Sequence, residues 1–135
     1  MLDTVRAALA EVIRAGPPAR FFVLFGSAAT GRARADSDLD LAWLPTDREL
    51  PLSEELALQA ELTRAAGREV DLVRLDHAST LCRHEVARDG VLIAGDRDAF
   101  IRFRAVAAAE FLDFEPALRD ATARYRRRLL KQART

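Results

Sequence analysis

Five consecutive apolar residues, Phe21-Phe22-Val23-Leu24-Phe25, constrain this chain more than any other stretch. Aromatic and branched side chains suit an extended backbone, and a run without polar alternation has no face to turn to water. It therefore predicts an interior strand buried on both sides. Such a strand needs a covering layer on each face of its sheet, and helices are the usual cover.

The rest of the sequence supplies them. Val5, Leu9, Val12 and Ile13 recur at helical spacing, and Gly16-Pro17-Pro18 stops that first helix. After the aromatic strand comes a short polar or weakly helical connection, Ala28 to Ser37, and then a second strand, Leu39-Asp40-Leu41-Ala42-Trp43-Leu44, limited by Pro45. Residues 53–65 predict a helix with Ser53 as its cap, Glu54 and Glu55 at its positive end, and Gly67 as its stop. A third strand is expected at Glu69-Val70-Asp71-Leu72-Val73-Arg74-Leu75, with Asp71 at its centre. Asp76 or Ser79 can cap the helix that follows through Val86, and Val91-Leu92-Ile93 gives a fourth strand. From Asp98 the pattern is helical, with a kink or break expected between Phe111 and Pro116. The expected fold class is α/β in an α+β arrangement: a small mixed β-sheet packed by helices, with a C-terminal helical segment over 97–132. A chain of 135 residues is expected to form one domain, 1–135.

Charge and cysteine content narrow the function. The chain carries 21 basic and 21 acidic side chains, so no global field draws it to nucleic acid or anionic lipid, and direct nucleic-acid binding is not expected. The balance is uneven: residues 1–100 hold 12 basic and 17 acidic groups, residues 101–135 hold 9 and 4. Cys82 is the only cysteine, which excludes an internal disulfide and a thiolate zinc cluster and fits a reducing cytoplasm. Charges interrupt every apolar run well short of the roughly 20 residues that span a bilayer, and Met1-Leu2-Asp3 does not open a signal peptide, so no membrane insertion is expected.

The chemistry lies at Asp38 and Asp40. Side chains two apart on a strand share a face, so both carboxylates can enter one space, where a divalent cation would relieve their repulsion. Mg2+ suits oxygen ligands shared between carboxylates and substrate phosphates, and Asp71 can add a further carboxylate if its strand lies alongside. Ser27 opens the connection after the buried strand, where amides and a hydroxyl can cradle phosphate oxygens. Gly26 permits close approach of a ligand, and Arg32 or Arg34 can meet terminal phosphates. These parts support metal-assisted attack on the α-phosphate of a nucleotide, with pyrophosphate leaving.

The stretch Leu24-Phe25-Gly26-Ser27 through Asp38-Leu39-Asp40-Leu41, together with Glu69-Val70-Asp71-Leu72, resembles the DNA polymerase beta superfamily of nucleotidyltransferases, and specifically its minimal, MNT-type members. The resemblance implies the nucleotidyltransferase fold, with ATP as co-substrate and magnesium as cofactor. It implies that Gly26 and Ser27 bind phosphate, and that Asp38, Asp40 and Asp71 bind metal and carry catalysis. The segment Phe111-Leu112-Asp113-Phe114-Glu115-Pro116, continuing to Tyr125, is similar to the tail of MNT antitoxins that transfer AMP to a tyrosine of a HEPN-type ribonuclease toxin. Such a toxin is the expected partner, in a hetero-oligomer or beside a homo-oligomer. Two rival readings are a non-catalytic antitoxin that neutralises its partner by binding, and a nucleotidyltransferase acting on a small aminoglycoside-like molecule. Only a short helical segment follows the fourth strand, which favours a macromolecular acceptor.

The remaining polar residues read more plainly. His77 and His84, seven apart around Cys82, match no tight zinc spacing and are expected to be structural or surface residues. Asp96 and Asp98 precede a helix and are expected to cap it, and Trp43 is expected in the core. Arg124, Arg126, Arg127, Arg128, Lys131 and Arg134, with Leu129 and Leu130 among them, suggest a partner helix rather than an RNA surface.

Overall fold

The structure is a computed structural model that describes residues 2–31 and 37–133. Four strands form one mixed sheet in the order β3-β2-β1-β4: β1 is Ala19–Phe25, β2 Leu39–Pro45, β3 Val70–Arg74 and β4 Val91–Gly95. β1 runs antiparallel to both β2 and β4, and β2 runs parallel to β3. The parallel pair is joined by a helical crossover, as that direction requires.

The aromatic strand is an inner one, and its two faces feed two cores. Phe22 and Leu24 point to one side with Leu39, Leu41 and Trp43 of β2, where α1 (Leu2–Ala15) and α2 (Leu52–Ala66) supply Val5, Leu9, Leu58 and Leu62. Phe21, Val23 and Phe25 point to the other, against Val86 and Ala87 of α3 (Thr80–Asp89) and Ala99, Phe100, Phe103 and Ala107 of α4 (Arg97–Ala133). The period-2 alternation thus divides a continuous apolar run between two helical layers. Trp43 is fully buried and stacks on Phe22 with ring centroids 5.4 Å apart, as expected of a core residue. Arg6 of α1 donates to the carbonyls of Leu92, at 2.9 Å, and Ile93, at 3.3 Å, and so fastens the first helix to the β4 edge.

Three local expectations change. α2 begins at Leu52 after Pro51, with no side-chain cap, so Ser53 lies inside the first turn instead of capping it. Proline before a helix fixes an extended backbone that makes the entry by itself. Ser79, of the two candidates, caps α3 by accepting from the Cys82 amide at 3.1 Å, because Asp76 is engaged by Arg74 at 2.8 Å. α4 runs through Pro116 without a break. A proline inside a helix costs one donor and crowds the preceding turn, but the turn before it is held by Phe111, whose ring stacks on His84 at 3.6 Å, and Glu115 pairs with Arg119 beyond it. Asp96 does cap α4, its carboxylate accepting from the Asp98 amide at 2.9 Å. Among the described residues, no helix is long and apolar enough to cross a membrane.

Candidate active site

Strand register builds the site. β1 ends at Phe25, which lies opposite Asp40 on β2, and Asp40 in turn lies level with Asp71 on β3. Since Leu39 and Leu41 face the α1/α2 core, Asp40 faces the other way, toward α3 and α4. Val70 and Leu72 likewise fill the α1/α2 side, which turns Asp71 to the same face as Asp40. Asp71 is the second residue of β3, nearer its start than the centre expected from sequence, because the strand begins at Val70. That position is what sets it beside Asp40. Asp38 stands one residue before β2, exposed to solvent.

The chain leaves β1 through Gly26-Ser27-Ala28, a single 3₁₀ turn. Gly26 adopts φ +70°, a left-handed conformation that side chains resist. A Cβ there would collide with Asp40 Oδ2 and lie 3.2 Å from its Cγ. The phosphate-turn candidate and the carboxylate candidate therefore touch. Ser27 is half-buried at this strand end. Thr30 tightens the turn, its hydroxyl donating to the carbonyls of Gly26 at 3.4 Å and Ser27 at 3.3 Å. Arg32 and Arg34 lie outside the described residues.

Electrostatics agrees with the geometry. The Asp40 carboxyl is held above the ordinary aspartate range, first by burial, then by the charges of Asp71 and Asp38. Helix α3 stands close by: the Cys82 thiol is pushed up by burial, by Glu85 and by the charge of Asp40. Among the described residues, no three His, Cys, Asp or Glu side chains form a closed metal cage. The donor set nevertheless fits magnesium. It is all oxygen, burial and the charges of Asp71 and Asp38 make Asp40 costly to ionise without a cation, and magnesium typically takes only one or two carboxylates and completes its shell with water and substrate phosphates.

Sequence reasoning missed Arg74. Its position reads as one of the charges interrupting β3, yet it is 6% exposed. It donates to the carbonyls of Leu50 at 3.0 Å and Arg48 at 2.5 Å and pairs with Asp76, with Glu55 at 3.6 Å. The hydrogen bond to Asp76 is the main cause that raises its pKa. Arg74 thereby anchors the β2–α2 loop under the strand that carries Asp71. Of these four polar partners only Asp76 is local, so the rest leave no signal in the sequence around Arg74. His77 is exposed and His84 is stacked on Phe111, so neither joins the carboxylates.

The "Protein adenylyltransferase MntA" of Aphanizomenon flos-aquae is 37% identical over 98 residues, a match that spans 65% of this chain and 65% of that protein's length. A tri-AMPylated HEPN toxin of Shewanella oneidensis in complex with its MNT antitoxin contains a chain that superposes with a TM-score of 0.72 at 23% identity, covering 90% of this chain and 99% of that one. A toxin-antitoxin structure with AMP-PNP gives 0.75 at 24% identity over 87% of this chain and 98% of its own. The sequence pattern of the family described as "Polymerase beta, Nucleotidyltransferase" matches residues 8–99. That span includes all four strands and every carboxylate of the site, and the chain belongs to the polymerase beta nucleotidyltransferase family.

Proposed function

We propose that this protein is a cytoplasmic antitoxin that transfers AMP from ATP to a tyrosine hydroxyl of a HEPN-type toxin. The observation that carries the reading is the position of Asp40, in contact range of Gly26 on one side and level with Asp71 on the other. The likeness to an MntA adenylyltransferase and to a chain in a toxin complex supports this acceptor class.

In this reading the Gly26-Ser27 turn receives the ATP phosphates, the missing side chain at Gly26 letting them approach Asp40. Asp38, Asp40 and Asp71 would hold magnesium, which supplies the positive charge that offsets phosphate and carboxylate charge during transfer. The tyrosine oxygen forms a bond to the α-phosphorus, the bond from that phosphorus to the bridging oxygen breaks, and pyrophosphate leaves. Asp71, exposed at the sheet edge, takes the tyrosine proton and passes it to water. An exposed carboxylate at an open edge suits a large acceptor that brings its own surface to the site. The second half of α4 offers a surface for that acceptor, with Tyr125, Leu129 and Leu130 all exposed on a helix rich in arginine.

The test is to incubate the purified chain with its toxin, ATP and magnesium and follow AMP on the toxin. Transfer should occur with the native chain and disappear with Asp38→Asn combined with Asp40→Asn. Neutralisation that survives the double substitution, without transfer, would favour inhibition by binding alone.

A further inference from the structure

A cavity lies at the opposite end of the strands from the carboxylates. Its volume is about 530 Å³, within the range of small-molecule sites. It opens beside Arg20 at the start of β1, whereas the carboxylate site gathers at Gly26, six residues and about 20 Å further along the same strand.

Its charge is one-sided. Arg20, Arg48 of the β2–α2 loop and Arg102 in the second turn of α4 reach it from three separate elements. Among the described residues none of these three guanidinium groups has a carboxylate partner, and Asp98, one turn before Arg102, does not pair with it. The other charges in the wall are already engaged. Arg83 pairs with Glu110 at 3.1 Å and lies over the Phe103 ring at 5.0 Å, and Asp76 is held by Arg74. Leu44, Pro45 and Val106 supply apolar wall.

We infer that this cavity binds an organic polyphosphate of nucleotide size, at a site separate from the carboxylate centre. Planar guanidinium forks match phosphate oxygens in pairs, and three exposed arginines lining one cavity without carboxylate partners favour a compact, multiply charged group. The apolar wall suits the ring portion of such a ligand. An extended acidic peptide would need its charges spread along a track, and the three arginines instead line one cavity.

The test is a titration of the ¹⁵N-labelled full-length chain, in EDTA to silence transfer, with ATP, with tripolyphosphate and with an oligoglutamate peptide. ATP should shift the amides of Leu44, Ala99 and Val106, and tripolyphosphate should do so more weakly. The variant R20Q/R48Q/R102Q should weaken these shifts at least about tenfold, as loss of charge-assisted hydrogen bonds implies, and leave those at Ser27 and Ala28 unchanged. Arg102→Gln alone, a change at an exposed helix position that preserves the fold, should weaken them several-fold. Shifts confined to the carboxylate end, cavity shifts produced only by oligoglutamate, or unaltered affinity in Arg102→Gln would each overturn the inference. Failure at the carboxylate end alone would leave this site standing, because the two sets of amides are read separately.

Discussion

Asp40 Oδ2 occupies the space that a side chain on Gly26 would need. The relationship couples the turn after β1 to the carboxylate on β2, so a change at either residue is felt at both.

Gly26→Ala should therefore impair chemistry more than folding. The left-handed φ costs about 1–2 kcal/mol for a residue with a Cβ, a modest loss measurable by urea denaturation. Displacing Asp40 should lower AMP transfer about 100-fold or more, as misplacement of a reacting geometry by an ångström commonly does.

Asp40→Asn should raise thermal stability at neutral pH when divalent cations are absent. Burial, with Asp71 and Asp38, raises the folded-state pKa of Asp40 above its ordinary value. For an acid so shifted, the fold is favoured below the unfolded pKa and loses that advantage as pH rises through the folded pKa. The stabilising effect of the substitution should thus be greatest above both values and vanish toward about pH 4 and below. Melting temperatures of the two proteins across that range check the sign.

Magnesium should reverse the penalty. Adding it should raise the melting temperature of the native chain by mass action and leave the Asp38→Asn, Asp40→Asn double variant unchanged. Calorimetric scans with and without the ion measure both.

Arg74→Met should be the most destabilising single change among the charged residues described here. It leaves Asp76 and Glu55 without their partner and the Leu50 and Arg48 carbonyls without a donor. Breaking a buried pair typically costs about 3–5 kcal/mol, read as a lower urea midpoint with an unchanged slope.

The second half of α4 calls for the opposite test. Leu129→Asp with Leu130→Asp changes exposed positions and should alter stability by about 0.5 kcal/mol or less. If this helix meets the toxin, the same pair of changes should weaken the complex about tenfold or more in a binding titration.

Much of this architecture was legible because local patterns and tertiary demands agree. The run Phe21–Phe25 had to be an inner strand, and its period-2 split between two helical layers follows from that placement. Asp40 and Asp71 could be named from sequence, but their equal level depends on the parallel register of β2 with β3, which no local signal specifies. Arg74 was hidden for a related reason, since its partners come from residues 19 to 27 positions away as well as from Asp76. At Pro116 the break that a proline would bring to an isolated helix is absent, because the preceding turn is held by the Phe111–His84 stack. The cavity between Arg20, Arg48 and Arg102 was invisible in sequence because its arginines are spread over more than half the chain.

Mass spectrometry of the toxin after incubation with this chain, ATP and magnesium tests the central claim most directly. AMP on a toxin tyrosine, absent with Asp38→Asn and Asp40→Asn, is the predicted result. An unmodified toxin, under conditions where the native chain binds both ATP and the toxin, would contradict it.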